Sequence, residues 1–445
     1  MALSKKIRLA GSWVVAGHLS SQLIRLSCNL IMTRLLVPDM FGIMAVVTIS
    51  LIGVTMLSDI GISQYLIQRK QTINQTIINT AWTLQVVRGV ILALLVVMLA
   101  ACIAKGQQYG LFNSHSVYAD EQLPLVLAVM ALSSFLAGLT SLNLVLMQRD
   151  LQQKQTIMIE VISQLVGTVV MIIMAYYLSN IWSIVVGSLL TVLIKTLLSH
   201  HKRIGERCHF AWDSETVRAI LQFGRWVFIA SLLTFIAAQG DRLILASWLS
   251  AAELGVYTIA FFIATAGKEL VKKVMGSVLY PALSQVVREK PHQLKTIYYQ
   301  LRLPLDSGIM VLAGLMASGG EWIISLLYDE RYIDAGWMLQ LLSLSIVLLG
   351  TSMAGVLIMA LGNSLWPMWM TLVSAVTLVF GLPLVFSWWG LPAAITLIAL
   401  HTVVEFPVIM WCMKRYQLWS WWGECRLWPV FFISYALGKS LIELT

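Results

Sequence analysis

The hydrophobic positions of this chain fall into long runs separated by short polar segments. Twelve runs have about the 20 residues that an α-helix needs to cross a bilayer. They lack the alternation at period two that barrel strands need. The pattern therefore predicts membrane-spanning helices at 10–33, 41–67, 78–104, 123–147, 156–178, 181–199, 220–248, 253–283, 303–327, 335–361, 366–388 and 391–413. A shorter run at 427–444 is predicted either to span the membrane or to lie at its interface.

The first helix and turn occur twice. Gly11–Val46 returns without a gap 213 positions later (224 − 11), at Gly224–Ile259. The identical pairs are Gly11/Gly224, Trp13/Trp226, Val14/Val227, Leu19/Leu232, Leu30/Leu243, Ile31/Ile244, Leu36/Leu249 and Gly42/Gly255. We therefore predict an all-α protein of two pseudo-symmetric six-helix bundles. The predicted domains are 1–200 and 220–415 for the bundles, 201–219 for a cytoplasmic linker and 416–445 for a C-terminal segment.

Basic residues between the runs lie almost entirely on one side. Alternate polar segments between the runs would face the same side of the membrane. One set of these segments holds Lys5, Lys6, Arg8, Arg69, Lys70, Arg149, Lys154, Lys202, Arg203, Arg207, Arg288, Lys290, Lys295, Lys414 and Arg415. The segments on the opposite side hold Lys105 and Arg331, each in a segment that also carries acidic residues. Cytoplasmic loops carry the excess of lysine and arginine. We therefore predict that the N-terminus, the linker and the segment after the twelfth helix are cytoplasmic.

The composition of the chain narrows the classes of function that it can have. The chain of 445 residues is 59% hydrophobic and 11% charged, against about 25% charged for soluble domains. The net charge of +9 comes from residues between the runs, so a nucleic-acid partner is not expected. The five cysteines are scattered, and neither a metal nor another cofactor is predicted. Short outer loops and the lack of a P-loop favour a transporter over an enzyme.

Three charged residues stand out in the first half. A charge at bilayer depth costs about 2.5–3.5 kcal/mol on insertion scales, so it normally faces a cavity or a partner. Arg25 lies inside helix one, where it faces a ligand, pairs with an acid or reaches the outer interface. Arg88, in helix three, either contacts a ligand or pairs with Asp59 or Glu160. Asp59 is predicted to lie within helix two.

The second half carries a denser set of charges. Lys268 and Lys272 lie one turn apart on helix eight and line a cytoplasm-facing cavity or form a solvated extension of the helix. Position 272 is also the repeat equivalent of Asp59 (59 + 213), so these two residues are a candidate charge pair. Asp241 and Arg242 are further charge-pair candidates. Glu405, beside Pro407, is either a coupling carboxyl or a packing acid, and His401 is expected to be a core residue.

Two segments carry a family resemblance. Residues 33–42, TRLLVPDMFG, and their second-half counterparts at 240–249, GDRLILASWL, followed by ELGVY at 253–257, resemble bacterial polysaccharide and O-antigen-type flippases. These belong to the multidrug/oligosaccharidyl-lipid/polysaccharide exporter superfamily. The similarity extends over essentially the whole chain in helix count, repeat and topology.

The resemblance implies a cargo and a mechanism. Two six-helix lobes would surround a central cavity and alternate between inward- and outward-open states in the cell inner membrane. The implied substrate is an undecaprenyl-diphosphate-linked oligosaccharide, moved to the periplasmic leaflet for polysaccharide synthesis, with a polymerase and a copolymerase as partners. Arg25 matches a diphosphate-binding arginine of helix one, and Arg88, Lys268 and Lys272 match by location.

Three alternatives stay open at this point. A cation-coupled multidrug exporter of the same fold would favour acids over bases within its cavity. A membrane glycan polymerase or ligase is disfavoured by the short outer loops. A purely structural membrane partner would leave the charges within the spans unexplained.

Overall fold

The computed structural model describes residues 2–69, 73–150, 152–201, 208–363 and 365–443, and these ranges contain helices and no strand. The α-helices, in chain order, are α1 Ala2–Leu35, α2 Pro38–Met56, α3 Ile62–Gln68, α4 Gln75–Gln108, α5 Gln122–Gly138, α6 Asn143–Arg149, α7 Gln153–Leu178, α8 Trp182–Ser199, α9 Ser214–Leu245, α10 Ala251–Val274, α11 Tyr280–Glu289, α12 Leu294–Leu327, α13 Ala335–Val347, α14 Leu349–Ala360, α15 Leu365–Leu400, α16 Phe406–Arg415, α17 Trp421–Cys425 and α18 Trp428–Glu443.

Local sequence signals set several helix starts. Pro38 occupies the start of α2, where its missing N–H costs nothing. The side chain of Asn74 caps α4 by accepting a hydrogen bond from the backbone N–H of Ile77 at 3.0 Å. Asp213 accepts from the backbone N–H of Thr216 at 3.0 Å at the start of α9. Hydrogen bonds from Thr216 lower the pKa of the Asp213 carboxyl.

Every predicted span contains a helix, so the all-α prediction is confirmed, but several spans are broken. The predicted second helix divides into α2 and α3, and the fourth divides into α5 and α6, which are bent by 59°. The eighth is interrupted by a π-helical turn at Met275–Leu279. Gly390, with φ 73°, breaks α15 into two helical parts. This break lies at the boundary predicted between helices eleven and twelve.

Length and hydropathy support a multi-pass arrangement. Among the described residues, seven helical stretches are long and apolar enough to cross a membrane, or eight if the bent pair α5 and α6 forms one span. The chain divides into two compact units, Met1–Phe235 with Ala246–Leu254, and Ile236–Leu245 with Gly255–Thr445. The predicted domain boundaries at 200 and 220 stay a prediction.

In the first unit, α4 packs against α5, α7 packs against α8, and α1 packs against α7. Ser21 on α1 donates a hydrogen bond to Gln164 on α7 at 2.5 Å. Gly42, one of the glycines shared by the repeats, lies against the backbone of Ala251. A buried cluster that includes Leu66, Ala81 and Ile220 joins α3, α4 and α9.

In the second unit, α12 packs against both α13 and α18. Ser434 of α18 donates a hydrogen bond to the carbonyl oxygen of Met310 at 3.2 Å. Gly438, further along α18, lies against Ser318, further along α12. The residue numbers rise together along both helices, so α18 runs parallel to α12.

Candidate functional site

The second predicted span is interrupted where its acid lies. Helix α2 ends at Met56 and α3 begins at Ile62, so the prediction that Asp59 lies within a helix is wrong. Its carboxylate accepts a hydrogen bond from the backbone N–H of Gly61 at 2.9 Å. Gly61 has φ 65°, a left-handed conformation that glycine adopts without steric cost. Hydropathy does not detect such a break, because the residues on either side stay apolar.

Helix α9 holds this break tightly. A Cβ atom on Gly224 would lie 2.5 Å from the carbonyl oxygen of Ile60. A Cβ atom on Gly61 would lie 2.9 Å from Val227 and 3.1 Å from Phe223. The backbones therefore approach as closely as they do only because both positions are glycine. The segment between α2 and α3 is fixed by packing rather than by helix geometry.

Arg88 on α4 binds the end of α2. Its Nη2 donates a hydrogen bond to the carbonyl oxygen of Thr55 at 2.7 Å, and its Nε donates to Oγ of Ser58 at 3.2 Å. The last carbonyls of a helix lack intrahelical partners and carry partial negative charge. Arg88 satisfies one of them, but both of its acceptors are neutral. Among the described residues, no carboxylate lies within the 4.0 Å of an ion pair with Arg88.

Two cavities of the first unit share Arg88 as a lining residue. The first, which we call the polar cavity, has a volume of about 500 Å³; its polar lining residues include Gln85, Ser134, Thr140, Thr156, Glu160 and Lys195. The second, which we call the apolar groove, has a volume of about 410 Å³ and is lined mainly by apolar side chains, with Ser58, Asp59 and Arg88 as its polar residues. Arg88 thus lies where a hydrogen-bonding surface meets an apolar one.

The charges of the polar cavity do not cancel. Lys195 lies 3.9 Å from Glu160, and their side chains are 42% and 58% exposed. Glu160 offsets one cation of this lining. The second, Arg88, has no acid partner within the polar cavity, and its charge interacts with that of Asp59 in the adjoining apolar groove.

Arg25 is exposed on α1. It forms neither a hydrogen bond nor an ion pair with another described residue of the first unit. The alternative in which it pairs with a neighbouring acid therefore has no support within this unit. Arg25 lines neither the polar cavity nor the apolar groove.

In the second unit, Asp241 is 4% exposed and accepts a hydrogen bond from the hydroxyl of Tyr257 at 2.8 Å. Nε of Arg242 lies 3.9 Å from the Asp241 carboxylate, as expected for a charge pair. The guanidinium of Arg242 also lies 4.2 Å from the centre of the Phe261 ring, a cation–π contact. Asp241 and Arg242 therefore have local partners.

Lys268 and Lys272, predicted to line a cavity together, lie close enough for their charges to interact. Nζ of Lys272 lies 3.3 Å from Glu269, and both side chains are largely exposed. Lys268 also lies near Asp241 and His401, close enough for their charges to interact. Glu405 lies within hydrogen-bonding reach of Ser374. The proposed pairing of Asp59 with Lys272 stays a prediction.

A buried cluster escaped the sequence analysis. Arg302 on α12 is 4% exposed; its Nε lies 2.5 Å from Asp306 and its Nη1 lies 2.7 Å from Glu424. Tyr299 donates a hydrogen bond to Glu424 at 3.0 Å. Arg302 lies just before the predicted span that begins at 303, so the hydropathy pattern does not mark it as a charge within a helix.

The chain is similar to known proteins both in sequence and in fold. A family described as polysaccharide biosynthesis protein matches residues 31–337. The chain belongs to this family. The lipopolysaccharide biosynthesis protein WzxC of Escherichia coli (strain K12) is 23% identical over 447 residues, which cover 92% of this chain and 82% of WzxC.

Solved structures show the fold. An inward-facing multidrug resistance transporter of the MATE family, from the MOP superfamily, matches with a TM-score of 0.69 at 15% identity, covering 89% of this chain and 94% of the transporter. The lipid II flippase MurJ matches with a TM-score of 0.69 at 9% identity, covering 96% of this chain and 98% of MurJ. The predicted resemblance to the polysaccharide branch of this superfamily is confirmed, and so is the fold of two helical bundles.

Proposed function

We propose that this protein flips undecaprenyl-diphosphate-linked oligosaccharides from the cytoplasmic to the periplasmic leaflet of the inner membrane by alternating access. The family match and the similarity to WzxC support a role in polysaccharide synthesis. The observation that carries the proposal is the position of Arg88, a cation held by neutral acceptors between a polar cavity and an apolar groove. Such a cation keeps its charge for an anionic ligand.

The chemistry of the cargo fits this arrangement. A diphosphate cannot cross an apolar layer unpaired, because the loss of its hydration is prohibitive. A guanidinium donates paired hydrogen bonds that match phosphate oxygens. Sugar hydroxyls need hydrogen-bonding walls, which the amide and hydroxyl side chains of the polar cavity provide.

Arg25 is the second proposed phosphate contact. It is exposed on an apolar helix and has no acid partner among the described residues of the first unit. Lys268 is proposed as a further contact in the second unit, and Lys272, which Glu269 already neutralises in part, is a weaker one. Asp59, Asp241, Arg242 and Glu405 are proposed for charge pairing or coupling.

The proposal also covers the orientation of the protein in the membrane and its protein partners. The distribution of lysine and arginine supports a cytoplasmic N-terminus. A flipped repeat unit must next be polymerised, so a polymerase and a copolymerase are the proposed partners. Family membership favours a glycan over a drug as the cargo, since the multidrug transporter shares only the fold at 15% identity.

The function is tested with Arg25 in a strain whose surface polysaccharide depends on this protein. Arg25→Ala is expected to reduce export at least about tenfold, because a charged hydrogen bond contributes about 1.5–3 kcal/mol. Lipid-linked oligosaccharide should accumulate inside, and Arg25→Lys should restore part of the export. Surface glycan and lipid-linked precursor are both measured by mass spectrometry.

The matched control is Lys105→Ala, which removes an exposed cation at the far end of α4 and should leave export unchanged. Immunoblotting of membranes must show equal protein for all variants. Full-rate export by Arg25→Ala at normal protein level would rule out its phosphate role. Undiminished export in a strain that lacks the whole protein would rule out the flippase function.

A further inference from the structure

The bend between α5 and α6 depends on hydrogen bonds from the neighbouring helices. The two helices meet at 59°, and residues 139–142 lie between them. The last backbone carbonyls of a helix lack partners within that helix. A carbonyl group in apolar surroundings must find another donor, because leaving it unpaired is costly. The donors that reach these carbonyls therefore decide whether the bend is kept.

Gln85 on α4 supplies two of these donors. Its Nε2 donates to the carbonyl oxygen of Gly138 at 3.0 Å and to that of Thr140 at 2.8 Å. An amide nitrogen has two N–H groups, so the bend uses both of them. Because both partners are carbonyl oxygens, the nitrogen and not the oxygen of the amide must face the bend, which fixes the orientation of the side chain. Among the described residues, no other side chain donates to either of these carbonyls.

The carbonyl oxygen of Leu139, which lies between these two in sequence, has two partners. It accepts hydrogen bonds from Nε1 of Trp82 at 3.3 Å and from Nε2 of His200 at 2.7 Å. Loss of the Trp82 donor would leave this carbonyl with His200 as its partner. Loss of the Gln85 amide would instead leave two carbonyls without a side-chain donor. Gln85 is therefore the side chain of α4 on which the bend depends most.

The bend also forms part of the wall of the polar cavity. Gly138, Thr140 and Ser141 line this cavity together with Gln85 and Arg88. Because Gln85 and Arg88 are three residues apart, they lie on one face of α4. Arg88 binds the end of α2, and Gln85 binds the bend. One face of α4 thus holds two broken helices that line the same cavity.

On this basis we propose that Gln85 is a positioning residue of the polar cavity, which holds the α5–α6 bend beside Arg88 and so sets the shape of the site. The proposal rests on the flippase function proposed above, in which this cavity receives the polar part of the cargo. Binding sites need contact groups that surrounding hydrogen bonds hold in position. Without the Gln85 amide, the two carbonyls must pair with water or with backbone N–H groups, and either change moves the wall.

Hydrogen exchange of the backbone amides tests whether Gln85 holds the bend. It is followed by mass spectrometry on the purified full-length protein in a neutral detergent. Gln85→Leu should speed the exchange of peptides that cover 139–146 at least about tenfold, because two carbonyls lose their donors. Trp82→Phe should speed it less than about threefold, because His200 still binds the carbonyl that Trp82 releases.

The matched control is Gln164→Leu on α7. The Gln164 amide exchanges hydrogen bonds with Ser21 of α1 and lies outside the polar cavity, so its loss should leave the exchange of 139–146 unchanged. If Gln85→Leu leaves that exchange unchanged as well, Gln85 does not hold the bend and the proposal is wrong. If Gln164→Leu speeds it as much as Gln85→Leu does, the effect is a general loss of packing and the proposal fails in the same way.

Gln85→Glu separates hydrogen bonding from side-chain volume, since glutamate has nearly the same shape as glutamine. A protonated carboxyl has one O–H that can donate to the bend, whereas a carboxylate has no donor. Exchange at the bend should therefore resemble that of Gln85→Leu at about pH 8 and approach that of the wild type at about pH 5.5. The charged groups around this position, Arg88, Glu160, Lys195 and His200, also titrate in the wild type, which is measured at each pH. If Gln85→Glu matches the wild type at both pH values, Gln85 only fills space and the proposal is wrong.

Export shows whether the position of the bend matters for transport. Per folded molecule, Gln85→Leu should lower surface polysaccharide at least about tenfold, because a contact misplaced by about 1 Å can cost more than that. Binding of inorganic diphosphate, measured by isothermal titration calorimetry, should weaken to a similar extent, and Gln164→Leu should change neither quantity. Full-rate export with unchanged diphosphate binding in Gln85→Leu would overturn the positioning role, although the flippase function would stand. Normal export in a strain that lacks the protein would instead rule out the flippase function, and the exchange data would still decide whether Gln85 holds the bend.

Discussion

Two arginines on long helices, Arg88 in the first unit and Arg302 in the second, have opposite surroundings. Arg302 is 4% exposed and contacts the carboxylates of Asp306 and Glu424 at 2.5 and 2.7 Å. Arg88 contacts a carbonyl and a hydroxyl and lines two cavities. A guanidinium neutralised by two carboxylates holds elements together, whereas Arg88, whose hydrogen-bond acceptors are neutral, is the proposed contact for an anionic ligand.

One of the two acid partners of Arg302 comes from a distant part of the chain. Glu424 lies 122 residues away, in α17. Arg426 donates a hydrogen bond to the carbonyl oxygen of Tyr299 at 2.6 Å, and Lys295 donates to that of Trp419 at 2.7 Å. These contacts attach the C-terminal segment to the start of α12 and bring α18 alongside it. The segment is therefore an integral part of the second unit.

The largest effect should come from Arg302→Met. It leaves two buried carboxylates without their cation, which costs about 3–5 kcal/mol. Since a protein is stable by only about 5–15 kcal/mol, we expect little folded protein in the membrane and a much lower unfolding temperature in detergent. Fluorescence-detected size exclusion and thermal unfolding measure both quantities.

Arg288→Met, at an exposed position of α11, is the control and should behave as the wild type. Replacing the whole cluster, Arg302→Met with Asp306→Leu and Glu424→Gln, should recover most of the stability, because no buried charge is left unpaired. Wild-type stability of the single variant would show that Arg302 does not hold the segment, and the contrast with Arg88 would then fail.

The lengths of the apolar runs were enough to predict where the helices lie, but they did not predict the surroundings of Arg88 and Arg302. The length of the apolar runs predicted a helix in each of them, because hydropathy depends on residues close in sequence. The break at 57–61 depends on the fit of Gly61 and Gly224 against α9, which is a tertiary contact. The burial of Arg302 could not be predicted, because Glu424, one of its two acid partners, lies in a segment predicted to be separate from the second bundle. Arg88 was identified, but the neutrality of its partners could not be read from its neighbours in sequence.

An intermediate effect should come from Gly224→Ala, which tests the wall beside Arg88. The new Cβ atom would lie 2.5 Å from the carbonyl oxygen of Ile60, and backbone cannot move away as a flexible side chain can. Overpacking of this kind costs about 1–3 kcal/mol. Gly240→Ala, on the same helix, meets only the side-chain ends of Leu378 and Ile236, at 3.3 and 3.8 Å, and serves as the control. Equal unfolding temperatures for the two variants would show that the break does not need this close approach.

A smaller loss of stability should accompany Arg88→Gln. The carbonyl oxygen of Thr55 still accepts a hydrogen bond from Ser58 at 3.0 Å, so we expect a cost of about 1 kcal/mol. Export of glycan should nevertheless fall at least about tenfold, since the charge is lost from both cavities. Arg302→Met and Arg88→Gln thus separate stability from transport. A large loss of stability in Arg88→Gln, with no loss of export per folded molecule, would assign Arg88 to packing and remove the difference between the two arginines.

The smallest effect on stability is expected at the ion pair of the polar cavity. Glu160 and Lys195 are about half exposed and 3.9 Å apart, and exposed pairs contribute about 0–1 kcal/mol. Glu160→Gln should therefore leave the unfolding temperature nearly unchanged. It also leaves the positive charge of Lys195 without its partner, so that both cations of the cavity attract an anion, and binding of inorganic diphosphate should strengthen. Lys195→Gln should weaken that binding at the same stability. If neither variant changes the binding of diphosphate, the excess charge of the cavity resides on Arg88 alone and the polar cavity serves the sugars rather than the phosphates.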